Sequence, residues 1–154
     1  MITTPADISI KAILVPVDGS EASFRAAAYA IRIAKHVKAK VICVHAIAIP
    51  PYLFDEQRSG QPTTAAYYVI AKKQAENWFS KVFDLAAREG VDVRSDVMID
   101  VLSVSDAIVS YAIDAKADMI VMGTRGKTPV GRFPIGSVAT AVVTHASCPV
   151  LVVR

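Results

Sequence analysis

The sequence predicts a single α/β domain, a three-layer α/β/α sandwich built on an open, five-stranded, mainly parallel sheet. Three observations carry this expectation. Apolar runs of strand length alternate with segments of helical period, in the order β-α-β-α-β-α-β-loop-α-β. The first run, residues 12–17 (Ala-Ile-Leu-Val-Pro-Val), is apolar without interruption, as in a strand covered on both faces. Strands joined through helices need right-handed crossovers, which put helices on both faces of a parallel sheet. The length suits one domain, 1–154, and 53% hydrophobic with 20% charged residues is the balance of an ordered core.

Each element has its own signal. After the first strand, Asp18-Gly19-Ser20 reads as a turn, with Ser20 an N-cap and Glu21 suited to the first helical turn. Phe24, Ala27, Ala28, Ile31, Ala34 and Val37 mark one face of the helix that follows. Residues 41–47 form the second strand, and residues 50–62, rich in turn formers and without a period, read as a mobile surface loop that can act as a lid or partner contact. A long helix is expected over 64–89, with Gly90 as its stop and Tyr67 and Trp78 on a core or interface stripe. Residues 91–99 alternate, which predicts a half-exposed strand near a sheet edge. Ser103 and Asp106 resemble a capping box opening a helix through Ala115. A buried strand at 118–122, a helix at 137–145 and a strand at 150–153 complete the chain.

The most informative segment is 123–137, Gly-Thr-Arg-Gly-Lys-Thr-Pro-Val-Gly-Arg-Phe-Pro-Ile-Gly-Ser. A buried strand empties into a loop carrying three glycines and three cations, Arg125, Lys127 and Arg132, which closes on Gly136-Ser137 at a helix start. Glycines let backbone approach a phosphate, and a helix N-terminus offers unpaired N–H groups and a positive dipole end. Pro129 and Pro134 stiffen the loop, which predicts a preordered cradle. From Met119 onward there is no Asp or Glu but four cations, against a net charge of +3 for the whole chain. Positive charge concentrated in and after one loop favours a small bound anion over nucleic acid, which needs a broadly basic surface. In open parallel sheets ligands bind beyond the carboxyl ends of the strands, where Asp18, His45-Ala46 and Gly123 can share one crevice.

The loop is neither a Walker P-loop nor G-x-G-x-x-G. Its spacing is G-x2-G-x9-G-S, formed by Gly123, Gly126, Gly136 and Ser137. With Pro16-Val-Asp-Gly-Ser20, Val44-His-Ala46 and Ser147-Cys-Pro-Val-Leu-Val-Val153, the chain resembles the ATP-binding branch of the universal stress protein family over nearly its full length. The resemblance implies a Rossmann-like sheet of the adenine nucleotide alpha hydrolase type, strand order 3-2-1-4-5, and ATP as ligand, with or without Mg2+. It implies that Asp18 accepts hydrogen bonds from ribose hydroxyls, that Pro16, Val17 and Ala46 line the adenine slot, and that Met122 and Gly123 lie near the ribose and first phosphate. Gly126, Gly136, Ser137 and Val138 would offer backbone N–H groups to the phosphates, joined by the Ser137 hydroxyl. Loop charge adds Arg125, Lys127 and Arg132, with Lys127 the nearest phosphate neighbour. One stretch departs from the family pattern: Leu102-Ser103-Val104 stands where many members have a Gly-x-Pro turn.

Function follows as an expectation: a regulatory ATP-binding protein of the stress response, acting through nucleotide-dependent conformation or partner binding. No carboxylate general base accompanies the loop and no Ser-His-Asp arrangement is recognisable, so turnover is expected to be weak or absent. The alternatives are a cyclic AMP-binding protein, a nucleotide-independent dimeric adaptor, or, in the enzyme class, a slow ATPase or an adenylyl-transfer enzyme. His36, His45 and His145 lack metal-ligand spacing, and His45 reads as a packed strand histidine. Cys43 reads as a small buried hydrophobe, and nothing pairs it with Cys148. The short apolar terminal strand is an open edge that invites pairing, and in the family it joins two copies, so a homodimer is expected. No apolar stretch reaches the roughly 18 residues that span a bilayer, and the first residues lack a signal-peptide pattern. Those two features predict a cytoplasmic protein without a membrane partner.

Overall fold

The computed structural model describes residues 4, 7–54, 60, 63–127 and 134–154. Five strands, β1 (Ala12–Pro16), β2 (Lys40–Ala48), β3 (Val93–Val101), β4 (Met119–Gly123) and β5 (Val150–Val153), form one sheet in the order β3-β2-β1-β4-β5. Every described strand pair is parallel, so the expected order holds and the sheet is wholly parallel. The connecting helices are α1 (Glu21–Val37), α2 (Thr64–Glu89), α3 (Val104–Asp114) and α4 (Ser137–His145). Within 50–62, Pro51–Phe54 form a 3-10 turn, and residues 55–59, 61 and 62 lie outside the described residues.

Side-chain alternation along β1 divides the interior into two halves. Ile13 and Val15 face α1 and α2, in a cluster with Ala27, Ile31, Phe79 and Val82. Leu14 faces the other way, with Ile108 and Ala112 of α3 and Ala139 and Val142 of α4. Strand β1 is therefore buried on both faces, which is why its sequence shows no polar alternation. Strand β3, at the sheet edge, exposes Arg94, Ser95 and Asp96. It begins at Val93, two residues later than the alternation suggests, because the Val91 N–H closes on the Ala86 carbonyl at 3.0 Å and belongs to the end of α2.

The helix ends follow local chemistry. Ser20 caps α1 by accepting from the Ser23 N–H, Thr63 caps α2 by accepting from Ala66, and Ser103 caps α3 by accepting from Asp106. Helix α2 has 26 residues, roughly 39 Å at the usual rise, whereas the nine residues of β2 span roughly 30 Å. The buried residues of α2 begin only at Ala75. Its first turns therefore project past the sheet and wall off space beyond the strand ends. Among the described residues no helix is long and apolar enough to cross a membrane.

The sheet opens at its switch point. Strand β1 pairs with β4 only at Ile13↔Met119 and Leu14↔Ile120, whereas β1 pairs with β2 from Ala12↔Lys40 to Pro16↔Val44. At the amino end the two strands are held by Asp118, whose Oδ2 accepts the N–H groups of Lys11 at 2.8 Å and Ala12 at 2.9 Å. At the carboxyl end each continues with its outer neighbour: Val17 N–H donates to Val44 and Thr124 N–H to Val153. A crevice opens between them.

Leu14 is fully buried and Leu102 is 86% exposed. Leu14→Ala is expected to lower stability by about 2–5 kcal/mol, and Leu102→Ala by no more than about 0.5 kcal/mol, as read from urea unfolding midpoints.

Candidate functional site

The first wall of the crevice is the turn after β1. Gly19 adopts φ 80°, a left-handed conformation that glycine adopts without penalty. Asp18 Oδ1 accepts the Ser20 N–H at 3.0 Å, closing an Asx turn that leads into the α1 cap. Asp18 Oδ2 accepts the backbone N–H of Lys127 at 3.2 Å. Burial raises the Asp18 pKa, but the donors around it, Ser20, Ser23 and the Lys127 N–H, outweigh burial and hold the carboxyl below its ordinary value. Asp18 is thus a fixed anionic acceptor, and each oxygen keeps a second lone-pair direction for a ligand.

The second wall is the glycine loop and the start of α4. Gly123 lies so close to α1 that a Cβ there would sit 2.9 Å from the carbonyl carbon of Ala22. A Cβ on Gly126 would sit 2.5 Å from Asp18 Oδ2, so this glycine lets the loop close onto the carboxylate. Gly136 donates its N–H to the Thr124 carbonyl at 2.7 Å, clasping the two ends of the loop together. This corrects one expectation: the Gly136 N–H is spent on Thr124 and is not offered to a phosphate. Gly136 provides no side-chain cap to α4, so among the described residues the opening N–H groups of that helix, from Ser137 and Val138, are left as donors at the crevice.

The third wall joins the end of β2, where His45 and Ala46 were expected at the crevice, to α2, whose part went unread in the sequence. His45 and Ala46 lie within β2, which runs on to Ala48. His45 Nδ1–H donates to the Val17 carbonyl at 2.8 Å. Burial lowers the His45 pKa, opposed by that bond and by nearby Asp18, so the ring is neutral at neutral pH. Trp78 meets His45 edge to face, ring centroids 5.0 Å apart at 83°, and occupies the space where Gly19 would carry a Cβ. The Lys127 ammonium lies 4.0 Å from the centroid of the Trp78 ring.

Together these walls enclose a cavity of about 570 Å³. Pro16, Val17 and Asp18 reach it from β1 and its turn, Ala46 from β2, and Met122 and Gly123 from β4. Arg125, Gly126 and Lys127 reach it from the loop, and Gly136, Ser137 and Val138 from the start of α4. All twelve expected residues therefore meet in one place. Pro129 and Arg132 lie outside the described residues. The lining also takes in Tyr67, Ile70, Gln74 and Trp78 of α2 and Val104 and Ile108 of α3. Tyr67 and Trp78 thus line the cavity, where a core or interface role was expected. Their signal was present: a stripe on a helix longer than the sheet it covers must run past the core. Cys43 is buried, with its thiol pushed up to about 12 by desolvation, and it is a free cysteine, as is Cys148.

Fold and site define a doubly wound α/β protein with a ligand crevice at its switch point. A model of the universal stress protein family matches residues 9–154. A universal stress protein of Methanocaldococcus jannaschii is 37% identical over 147 residues, covering 94% of this chain and 82% of its own length. One from Thermus aquaticus is 39% identical over 146 residues, covering 94% of this chain and 98% of its own. The crystal structure of a universal stress protein in complex with cAMP superposes with a TM-score of 0.70 at 26% identity, over 95% of this chain and 98% of that one. The chain belongs to the universal stress protein family.

Because the folded pKa of Asp18 is lowered, its contribution to stability is present above the unfolded carboxyl value and is lost as pH falls through the folded one. Asp18→Asn is therefore expected to destabilise most at about pH 7, with the difference shrinking by about pH 3. Urea unfolding of both proteins at the two pH values reads this directly. A difference independent of pH would contradict it.

Proposed function

We propose that the protein is a regulatory ATP-binding protein that acts in stress response through nucleotide-dependent conformation or partner binding. One observation carries the reading: the Asp18 carboxylate, the cations Arg125 and Lys127, and the open N-terminus of α4 converge on a single cavity with apolar α2 and α3 walls. An adenine nucleotide needs that combination, an acceptor for ribose hydroxyls, donors and positive charge for phosphates, and a dry slot for the base. The complex of a relative with cAMP supports the adenosine half. Asp18 is the one carboxylate lining the cavity among the described residues, and both its oxygens already accept N–H groups. A Mg2+ ion would therefore arrive with the phosphates that it neutralises, not through a protein cage.

Binding is favoured over turnover. Asp18, held ionised by its donors, is a weak base, and burial lowers the basicity of the His45 ring, whose Nδ1–H is given to the Val17 carbonyl. Strand β5 lies at the sheet edge in the order β3-β2-β1-β4-β5, where a second copy can pair with it, and the protein acts as a cytoplasmic homodimer. Cyclic AMP is the second reading, favoured by the liganded relative.

Calorimetric titration is expected to show saturable ATP binding, and freshly purified protein is expected to release adenine nucleotide on denaturation, identified by mass. Gly136→Val brings a branched side chain to a Cβ position 3.2 Å from the Thr124 carbonyl and is expected to cut affinity by about tenfold or more. No saturable signal at millimolar ATP ends this reading, and competition against cyclic AMP ranks the two ligands. Sedimentation at micromolar concentration is expected to give a dimer; a monomer alone contradicts the β5 contact.

A further inference from the structure

The structure places a cation of the proposed phosphate site on a tryptophan. Lys127 is pinned at its backbone, where its N–H donates to Asp18 Oδ2 at 3.2 Å. Its side chain is free to swing on a four-carbon stem, and its ammonium rests 4.0 Å from the centroid of the Trp78 ring. Trp78 is a fixed platform. It fills the space above Gly19 and abuts His45 edge to face at 5.0 Å, so the ring stays in place while the lysine can leave. The residue is exposed, so the ammonium can exchange partners without unpacking the core.

We infer that Lys127 and Trp78 form a cation–π latch that makes the site selective for polyphosphate ligands over adenine nucleotides with a single phosphate. The inference rests on the ATP-binding reading and names what sets the ligand class at that site. A single phosphate is met by the N-terminus of α4, where the Ser137 and Val138 N–H groups are the built-in donors. It brings at most two negative charges, set against the positive helix end, so its pull on the ammonium is weaker than that of a triphosphate. A triphosphate carries further charge, and a charge-assisted bond from ammonium to phosphate outcompetes the attraction of a ring face. The latch thus opens for ATP and stays closed for AMP or cyclic AMP. Asp18 addresses the ribose end and keeps hold of the Lys127 backbone. Cyclic AMP offers it one free ribose hydroxyl where ATP offers two, so the latch is read from the change on removing the Lys127 charge and not from absolute affinities.

Trp78 is the sole tryptophan of the chain, so indole emission comes from the platform itself. Tripolyphosphate, which brings phosphate charge without a base, is expected to shift Trp78 emission in the unmodified protein and not in Lys127→Met; an equal shift in both overturns the latch. Lys127→Met keeps the stem and the backbone N–H but removes the charge. It is expected to weaken ATP by about tenfold in calorimetry while cyclic AMP stays within about twofold, which erases the preference. Trp78→Leu is expected to strengthen ATP binding by a few-fold, since the ammonium is no longer held. If Trp78→Leu misfolds, the Lys127→Met comparison decides alone. ATP that binds the unmodified protein but loses no more affinity than cyclic AMP in Lys127→Met overturns the latch and leaves the ATP reading standing. A protein that binds no ATP overturns both.

Discussion

Strand β1 and strand β4 share only two paired positions, and the rest of the molecule is arranged around that separation. Each strand keeps its outer partner to the end, β1 with β2 and β4 with β5. The chain that leaves β1 must turn into α1, while the chain that leaves β4 must turn toward α4 on the opposite face. A gap at this point is a topological necessity of reversing strand order. Asp118 holds the two strands together at the other end of the sheet, so the gap is a wedge with a fixed apex.

What fills the wedge decides its chemistry. An apolar filling would be core; here the chain brings a carboxylate, a glycine loop and a bare helix start into it. Those groups satisfy one another only partly. Asp18 takes N–H groups from both walls, Gly136 joins the loop ends, and Lys127 lies against an aromatic face. The result is a largely apolar cavity edged by a few fixed polar groups, the arrangement of a small-molecule site.

The sheet was legible where periodicity and burial coincide, as in the uninterrupted apolar β1. Strand β3 was legible as an edge strand from its polar residues, three of which in succession, Arg94 to Asp96, are exposed. The helix starts were legible from Ser20, Thr63 and Ser103, since capping is local chemistry. The Asp18 turn was legible for the same reason. The α2 wall was not. Tyr67 and Trp78 continue the stripe of Ala75, Phe79 and Val82, and the stripe alone does not say where its covering layer ends; the signal lay in comparing the length of the helix with that of the strand. That limit is set by the relative lengths of α2 and β2. Likewise the Gly136 N–H looked like a phosphate donor until the Thr124 carbonyl proved to occupy it, a partner twelve residues away across a loop.

The three motif glycines each face a protein neighbour: Gly123 faces Ala22, Gly126 faces Asp18 and Gly136 faces Thr124. The motif is therefore a constraint on how the chain closes on itself as well as on what it holds. In a lineage that gave up its ligand, the pressure to keep these residues small would persist. Positions 18 and 126 should drift only in concert, because a larger residue at 126 requires the side chain at 18 to retreat, whereas Gly123 faces the backbone of Ala22, which no substitution can shorten. Retention of the glycines in a descendant would then testify to inherited architecture, and the fate of the cation at 127 would speak more directly to what that descendant still binds.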